Sequence, residues 1–401
     1  MNRHLLIFLD KTAFQFLFYF FAIFAKIFTR TKGTYPPKLS GTERFLVIRP
    51  GGIGDGLMSL PLLKALESGF PKNKITLICL RKNTLAFKHV SYFDELITLD
   101  SIDGIFRCLF LFLNRQFDVV LDLEPFRKIS AIVSFLSRAN IRIGFDTNNR
   151  RQLYSHLVSY ANEKVFESVN MIRQLEIVGI KVPIENAIDI RFPLQDELVD
   201  RSKQILTSKK VYPENNFIVV VVPGVLKPHH RWRMENFAAL IHLVLKQDKL
   251  VKVLLLGSAS DVHDASQVME QVGENENVVN FVGNTSYTES LGILKMSNIL
   301  IACDGGVVYM AAAMGCSTLS IWGPGVMERF KPPGAEHIGI RKTYPCIPCV
   351  NYSRLGEFPK CPYDRMCIKD ISSENVFEKY TETKFRLQNK EDAEHTVRAC
   401  L

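Results

Sequence analysis

The chain has 401 residues, 47% hydrophobic and 23% charged, with a net charge of +9 and a pI near 9.0. That composition excludes a disordered or low-complexity chain, and the length suits two domains of ordinary size. The Lys and Arg excess favours anionic partners such as nucleotides or acidic lipid. The sequence carries no RNA-binding signature, arginine-rich tract or zinc-finger spacing, which argues against nucleic acid.

Residues 1–40 read as an apolar helix and a linker. From Thr12 to Ala25 there are 14 uncharged residues, short of the roughly 20 needed to span a bilayer. Lys11, Gln15, Tyr19 and Lys26 fall close to one helical stripe, and the remaining positions are aromatic and aliphatic. Such a helix lies in a membrane interface or packs on the domain that follows. No small-x-small cleavage site follows the apolar run, so a cleaved signal peptide is disfavoured. Lys26, Arg30, Lys32 and Lys38 place positive charge on the carboxyl side. If the helix spanned, that charge would keep the body of the chain cytoplasmic. Thr31 to Gly41, with Gly33, Pro36 and Pro37, is a linker.

From Arg44 the pattern alternates strand and helix. Strands are predicted at 45–49, 75–80, 95–99, 118–123 and 141–145, and helices near 56–69, 105–115, 127–138 and 164–179. This is a parallel sheet with helices on both faces, assigned to residues 41–190. Its first strand ends in Arg49-Pro-Gly-Gly-Ile-Gly-Asp-Gly56, a glycine turn at a carboxyl edge where open α/β sheets bind ligands. A dinucleotide fingerprint does not fit. Leu57 stands where GxGxxG needs its third glycine, and the second strand runs into Arg81-Lys82 rather than a ribose-binding acid. Gly51, Gly52, Gly54 and Gly56 let the backbone turn sharply and approach a ligand closely, with Gly52 and Gly54 on the acceptor side. Asp55 either caps the helix or accepts a proton; the turn by itself leaves both open.

A helix near 195–208 precedes a second alternating series, assigned to 191–370. Its strands are predicted at 217–222, 251–256, 278–282, 298–303 and 317–321, its helices near 234–247, 260–272, 286–297 and 306–314. Three loops follow its strands. Val222-Pro-Gly-Val-Leu-Lys-Pro-His-His-Arg-Trp232 offers Lys227, His230 and Arg231 to a diphosphate, near a helix N-terminus. Asp304-Gly305-Gly306 opens a small-residue helix; Asp304 either accepts sugar hydroxyls or is the N-cap. Trp322-Gly-Pro-Gly325 is the third. Two α/β domains joined once imply a cleft between two sheet edges. Residues 371–401 read as a helix to about 387 and a charged tail, frayed from Asn389 onward.

Nine cysteines do not form a disulfide scaffold, which fits a reducing compartment. Cys79, Cys108, Cys303 and Cys316 lie in apolar contexts and read as buried thiols. Cys346, Cys349, Cys361 and Cys367, in the loop 346–367, are either a ligand set for zinc or an iron–sulfur cluster or a run of reduced thiols. The irregular spacing favours the thiols, and no metal or other cofactor is assigned.

Taken in order, these pieces resemble glycosyltransferase family 9, the ADP-heptose–lipopolysaccharide heptosyltransferases. The resemblance spans about 44–375. It rests on Phe45-Leu-Val-Ile-Arg49, Gly54-Asp55, Pro61-Leu-Leu-Lys-Ala-Leu66, Phe70-Pro71 and Phe117-Asp-Val-Val-Leu-Asp-Leu123. In the second half it rests on Pro223-Gly224, Arg231-Trp232, Leu256-Gly257-Ser258, Phe281-Val-Gly-Asn-Thr285, Asp304-Gly-Gly306 with Ala311-Ala-Ala313, and Gly323-Pro324. A similar cysteine-rich tail occurs in many family members.

The resemblance implies a GT-B fold, two Rossmann-like domains with the acceptor on the N-terminal one and the nucleotide-sugar on the C-terminal one. The C-terminal helix would then cross back to the first domain. It also implies inverting transfer of heptose from ADP-heptose to a lipopolysaccharide core or related lipid-linked saccharide, without metal, at the cytoplasmic face of an anionic membrane. Asp55 would be the base. Lys227, His230, Arg231, Asp304, Gly305, Gly306 and Tyr309 would hold the donor. Two positions depart from the family pattern: His230 stands where the family has Lys, and Tyr309 where it has His. They leave open a different nucleotide-sugar and surface glycan, or a non-catalytic sugar-binding homologue.

Overall fold

A computed structural model describes residues 16, 18–21, 23, 39–114, 117–160, 164–225, 227–349 and 361–399, with 102, 104, 105 and 390–399 described by backbone alone. The chain divides into two compact units. One holds the residues to Ile190 with the turn Glu328–Phe330; the other holds Arg191–Met327, Lys331–Cys349 and the residues from 361 on.

The first unit is built on β1 (Arg44–Arg49), β2 (Lys74–Cys79), β3 (Glu95–Thr98), β4 (Val119–Asp122), β5 (Ile141–Phe145) and β6 (His156–Val158). They form one parallel sheet in the order β3-β2-β1-β4-β5-β6. Phe45 to Ile48 are fully buried, because a strand covered on both faces needs an unbroken apolar run. The connecting helices are α1 (Ile53–Leu57), α2 (Leu60–Gly69), α3 (Ile102–Leu113), α4 (Lys128–Leu136), α5 (Glu167–Ile177) and the short α6 (Ile184–Ala187); a 3-10 turn spans Arg81–Phe87. The helix expected over 56–69 is two. Pro61 sits in the first turn of α2, where its missing N–H costs nothing; inside one continuous helix it would break the hydrogen-bond ladder.

The second unit repeats the topology. Its strands are β7 (Ile218–Val222), β8 (Lys252–Leu255), β9 (Val278–Asn280), β10 (Ile299–Cys303), β11 (Ser317–Trp322) and β12 (His337–Arg341), all parallel, in the order β12-β11-β10-β7-β8-β9. Around them lie α7 (Asp196–Ser208), α8 (Met234–Gln247), α9 (Val262–Val272), α10 (Tyr287–Lys295), α11 (Gly306–Ala313), α12 (Met327–Phe330), α13 (Met366–Lys369) and α14 (Ser373–Ala399). In both sheets the strand order reverses beside the first strand, between β1 and β4 and between β7 and β10. This switch point leaves a crevice at the carboxyl edge.

The sixth strand of each sheet escapes a reading of apolar runs. β6 and β12 are edge strands, only partly buried, and each contains a histidine. The C-terminal helix runs to Ala399 rather than fraying at Asn389, and its first turns pack in the core of the second unit. Val376 and Tyr380 are fully buried in that unit's core, and Lys384 pairs with Asp248 at the end of α8.

Most of residues 1–38 lie outside the described residues. Those described, Phe16, Phe18–Phe21 and Ile23, are helical. Phe18 is fully buried against Ala131, Ile132, Leu153 and Tyr154, and Phe21 meets Phe135 with ring centroids 5.8 Å apart. Among the described residues no helix is long and apolar enough to cross a membrane. Tyr380→Ala is expected to destabilise the second unit by roughly 3–5 kcal/mol, as for other large buried aromatics. Urea unfolding checks this, and a loss below about 1 kcal/mol would contradict the packing described.

Candidate active-site residues

In the first unit the site grows from the end of β1. Arg49 is 2% exposed. Its guanidinium donates from Nε to the Asp55 carbonyl at 3.0 Å, from Nη2 to Asp55 Oδ1 at 3.1 Å, and from Nη1 to the Leu123 carbonyl at 2.9 Å. The planar fork thus joins the glycine turn to the residue after β4, across the switch point. The Gly52 N–H donates to Asp55 Oδ2 at 2.8 Å. Asp55 therefore caps α1 from its third position, and the cap aims the carboxylate. Both of its oxygens are held, while its side chain is 43% exposed.

Sterics require Gly51 and Gly56 of the turn. A Cβ on Gly51 would lie 2.5 Å from the Asp55 Cβ, and one on Gly56 would lie 2.3 Å from Asn83 Oδ1. One on Gly52 would meet only Asp55 Oδ2, at an ordinary 3.7 Å. Asn83, fully buried, donates to the Arg49 carbonyl at 2.9 Å and closes the turn from the far side.

Two buried carboxyl groups lie near this turn. Asp122 ends β4 with Arg150 Nη1 at 3.4 Å and accepts from the Tyr154 hydroxyl. Burial pushes its carboxyl up to about 6, against Arg150 and Tyr154. Glu167, at the start of α5, accepts from the Tyr160 hydroxyl at 2.8 Å and from Arg329 Nε at 2.8 Å. Burial pushes it up to about 8; the Arg49 charge opposes this, and Asp55 and Glu124 add to it. Arg329 stacks over Tyr160, 4.3 Å from the ring centroid. Sequence reading missed Arg49, Glu167 and Arg329 as site residues. The available signal was a charged residue closing an apolar strand.

In the second unit three loops converge. His230 is fully buried, with Nδ1 3.1 Å from Asp304 Oδ2, although neither ring nitrogen has a well-formed hydrogen bond. A Cβ on Gly325 would stand 3.4 Å from Asp304 Oδ2 and 3.5 Å from His230 Cε1. The loops after β7, β10 and β11 therefore meet at one point. Gly224 allows a fourth approach: a Cβ there would lie 2.2 Å from Asp261, whose Oδ2 accepts from the Ser258 N–H after β8.

Gly305 is the N-cap of α11 and Gly306 its first residue, so unpaired amides open at the Asp304 turn. Tyr309 is buried on the same helix, and Lys227 is partly exposed at the start of the 3-10 turn Pro228–His230. Arg231 donates from Nη1 to Asp264 on α9 at 2.7 Å, and its side chain stays 44% exposed.

The loop cysteines lie close enough to perturb one another. Burial and then the neighbouring sulfurs raise Cys349, and push Cys367 to about 11. Cys361 Sγ accepts from the Arg365 N–H at 3.1 Å. Among the described residues no group of three or more ligating side chains is arranged to hold a metal ion. Burial pushes Cys79 and Cys303 to about 12 and Cys108 to about 11, and it raises Cys316 further. These four are packing residues rather than reactive thiols.

Two Rossmann-like units, each with its candidate residues at the switch point of a parallel sheet, define a GT-B class α/β protein. Solved structures agree. One is the ADP-heptose lipopolysaccharide heptosyltransferase II of Escherichia coli, with TM-score 0.66 and 16% identity, covering 86% of this chain and 99% of that one. Another is an Escherichia coli heptosyltransferase solved with ADP-2-deoxy-2-fluoro heptose, with TM-score 0.58 and 13% identity, covering 84% and 99%. The model of glycosyltransferase family 9 (heptosyltransferase) matches residues 109–357, and the chain belongs to that family. It is 23% identical over 303 residues to the lipooligosaccharide heptosyltransferase 2 of Haemophilus ducreyi, covering 72% of this chain and 86% of that protein.

The buried carboxyl groups carry a pH signature. Burial raises the pKa of folded Glu167 above the 4.5 of an ordinary glutamate, so the folded chain holds this proton to higher pH than the unfolded chain. The native state binds more protons in between, so stability falls as pH rises through that window. Glu167→Gln is expected to flatten the fall, measured by urea unfolding at about pH 5.5 and about pH 7.5. An unchanged slope contradicts the assignment.

Proposed function

We propose that the protein is an inverting heptosyltransferase that moves heptose from ADP-heptose to a lipopolysaccharide core or a closely related lipid-linked saccharide. The observation that carries the reading is Asp55, a half-exposed carboxylate aimed by Arg49 and the Gly52 amide at the switch point of the first sheet. Family membership and the heptosyltransferase relatives support it.

In this reading the acceptor lies at the edge of the first unit. Its hydroxyl oxygen attacks the anomeric carbon of the donor, and Asp55 takes the hydroxyl proton. The bond from that carbon to the diphosphate breaks on the opposite face, so configuration inverts and ADP leaves with the bonding electrons. Asp55 is suited to the part because both oxygens are oriented while the side chain stays open. The buried Arg49 fixes its geometry. Asp122 and Glu167 carry raised pKa values and are bound inward, so they are less available than Asp55.

The donor is assigned to the second unit. The amides opening α11 at Gly305 and Gly306 would receive phosphate oxygens, and Lys227 would supply positive charge to the leaving diphosphate. Asp304 would accept sugar or ribose hydroxyls. His230 would act mainly through Asp304, since its ring is buried against that carboxylate. Arg231, paired with Asp264, would contribute a weaker field than a free guanidinium. Tyr309 would shape the floor of the site. We further place the protein on the cytoplasmic side of the membrane that holds its acceptor.

Asp55→Ala is expected to lower kcat by about 10²–10⁴-fold while calorimetric ADP affinity stays at the parent value. Transfer at the parent rate would remove Asp55 as the base. Asp304→Ala is expected to weaken ADP or ADP-heptose binding about tenfold, as loss of a hydrogen bond to a charged group does. A folded parent chain that binds UDP or GDP in preference to ADP would overturn the donor assignment.

A further inference from the structure

His230 ends the 3-10 turn Pro228–His230, and its ring is fully buried where the loops after β7, β10 and β11 meet. Nδ1 lies 3.1 Å from Asp304 Oδ2. Nε2 has no hydrogen-bond partner among the described residues. Leaving a buried polar atom unpaired costs stability, so such an atom at a ligand edge calls for a reason. A neutral imidazole can be answered there by a proton.

Charged and titratable groups approach this ring from several elements. Its own loop carries Lys227, His229 and Arg231, and Arg231 is paired with Asp264 of α9. The end of β10 brings Asp304 and the Cys303 thiol, which burial pushes up to about 12. Asp261 comes up beside Gly224 and accepts from the Ser258 N–H. Arg365, just before α13, donates from Nη1 to the Pro228 carbonyl at 3.5 Å. The loop after β11 adds no charge from Gly323 to Gly325. Of these groups only the two histidines ordinarily change charge between about pH 5 and about pH 8, and His230 is the one fully buried beside a carboxylate.

Gly305 and Gly306 open α11 directly after Asp304. A diphosphate seated on their amides brings its negative charges beside the Asp304 carboxylate, where little water screens them. Where the resemblance leads one to expect Lys, an ammonium would meet that charge at every physiological pH. An imidazole meets it only after taking a proton. Negative charges gathered near a buried base favour its protonated form.

We infer that His230 takes up a proton when the nucleotide-sugar diphosphate binds, so that an imidazolium beside Asp304 answers the charge of the phosphates. The proton comes from water and returns to it when the diphosphate leaves, and no covalent bond to the ligand forms. The inference rests on the second unit holding the donor. The bound form carries one proton more than the free form, so donor affinity falls as pH rises through the histidine range. His230 is thus a positioning residue whose charge the ligand itself switches.

The test is calorimetry of the full chain with ADP-heptose, without acceptor, in HEPES and in Tris, two buffers of different ionisation enthalpy. ADP-heptose serves better than ADP because its phosphates carry no proton that titrates in this range. At about pH 7.5 the two heats are expected to differ by the uptake of up to about one proton per ligand, and affinity to fall at least about fivefold from about pH 6.5 to about pH 8.5. His230→Asn can still donate to Asp304 but takes no proton, and it is expected to lose both dependences. His229→Asn is expected to keep both. A parent that binds with equal heat in the two buffers overturns the inference, whether or not the variants fold. So does a His230→Asn variant that still takes up the proton, or a His229→Asn variant that does not. A folded parent that refuses ADP-heptose but binds a UDP-sugar or GDP-sugar, with uptake lost in His230→Asn, removes the ADP-heptose reading and leaves the switch standing. A folded parent that binds none of these removes both.

Discussion

Arg49 is a cation that cannot shed its charge, buried at the end of the central strand of the first unit. Such a group must be neutralised and hydrogen-bonded where it stands, and here the partners come from two segments. Asp55 answers from the glycine turn and the Leu123 carbonyl from beyond β4. Removing one partner of a buried pair leaves an uncompensated charge, at a cost of about 3–5 kcal/mol; exposure of Asp55 reduces that figure here. The turn is therefore held in one geometry by electrostatics, with the glycines only permitting it. Gly51 has no side chain because Asp55 occupies that space, and Gly56 has none because Asn83 does.

The second unit reaches the same edge of the same topology by different means. Its loops are drawn together by close backbone approach at Gly224 and Gly325 and by a dry contact between His230 and Asp304. Its cations are already engaged or placed at the rim: Arg231 on Asp264, Lys227 at the start of a short turn. Gly305 and Gly306 open α11 beside this contact. His230 stands where the resemblance leads one to expect Lys, and its buried ring lies beside the Asp304 carboxylate.

Legibility followed burial for the inner strands, such as Phe45 to Ile48 and Ile218 to Val222, where cover on two faces demands an unbroken apolar run; the partly exposed edge strands Glu95–Thr98 and Val278–Asn280 were legible from the strand–helix alternation. The edge strands His156–Val158 and His337–Arg341 are half-covered, and their sequences carry no such run. The C-terminal helix was legible as a helix, but its partner was not. Helical periodicity says which face is apolar and nothing about which surface will cover it, and only the buried Val376 and Tyr380 place it on the second unit.

The sequence by itself determined the two alternating α/β series, the glycine turn with one carboxylate, the three ligand-edge loops and the family. Each depends on residues adjacent in the chain, so local sterics and periodicity specify it. Only the tertiary structure decided that Arg49 aims Asp55, that Glu167 meets Arg329 across 162 positions, that Arg231 turns to Asp264, and that His230 is buried beside Asp304. These are pairings of charge between distant segments. A buried charge must find an opposite charge, but which one it finds depends on where the sheets bring the chain.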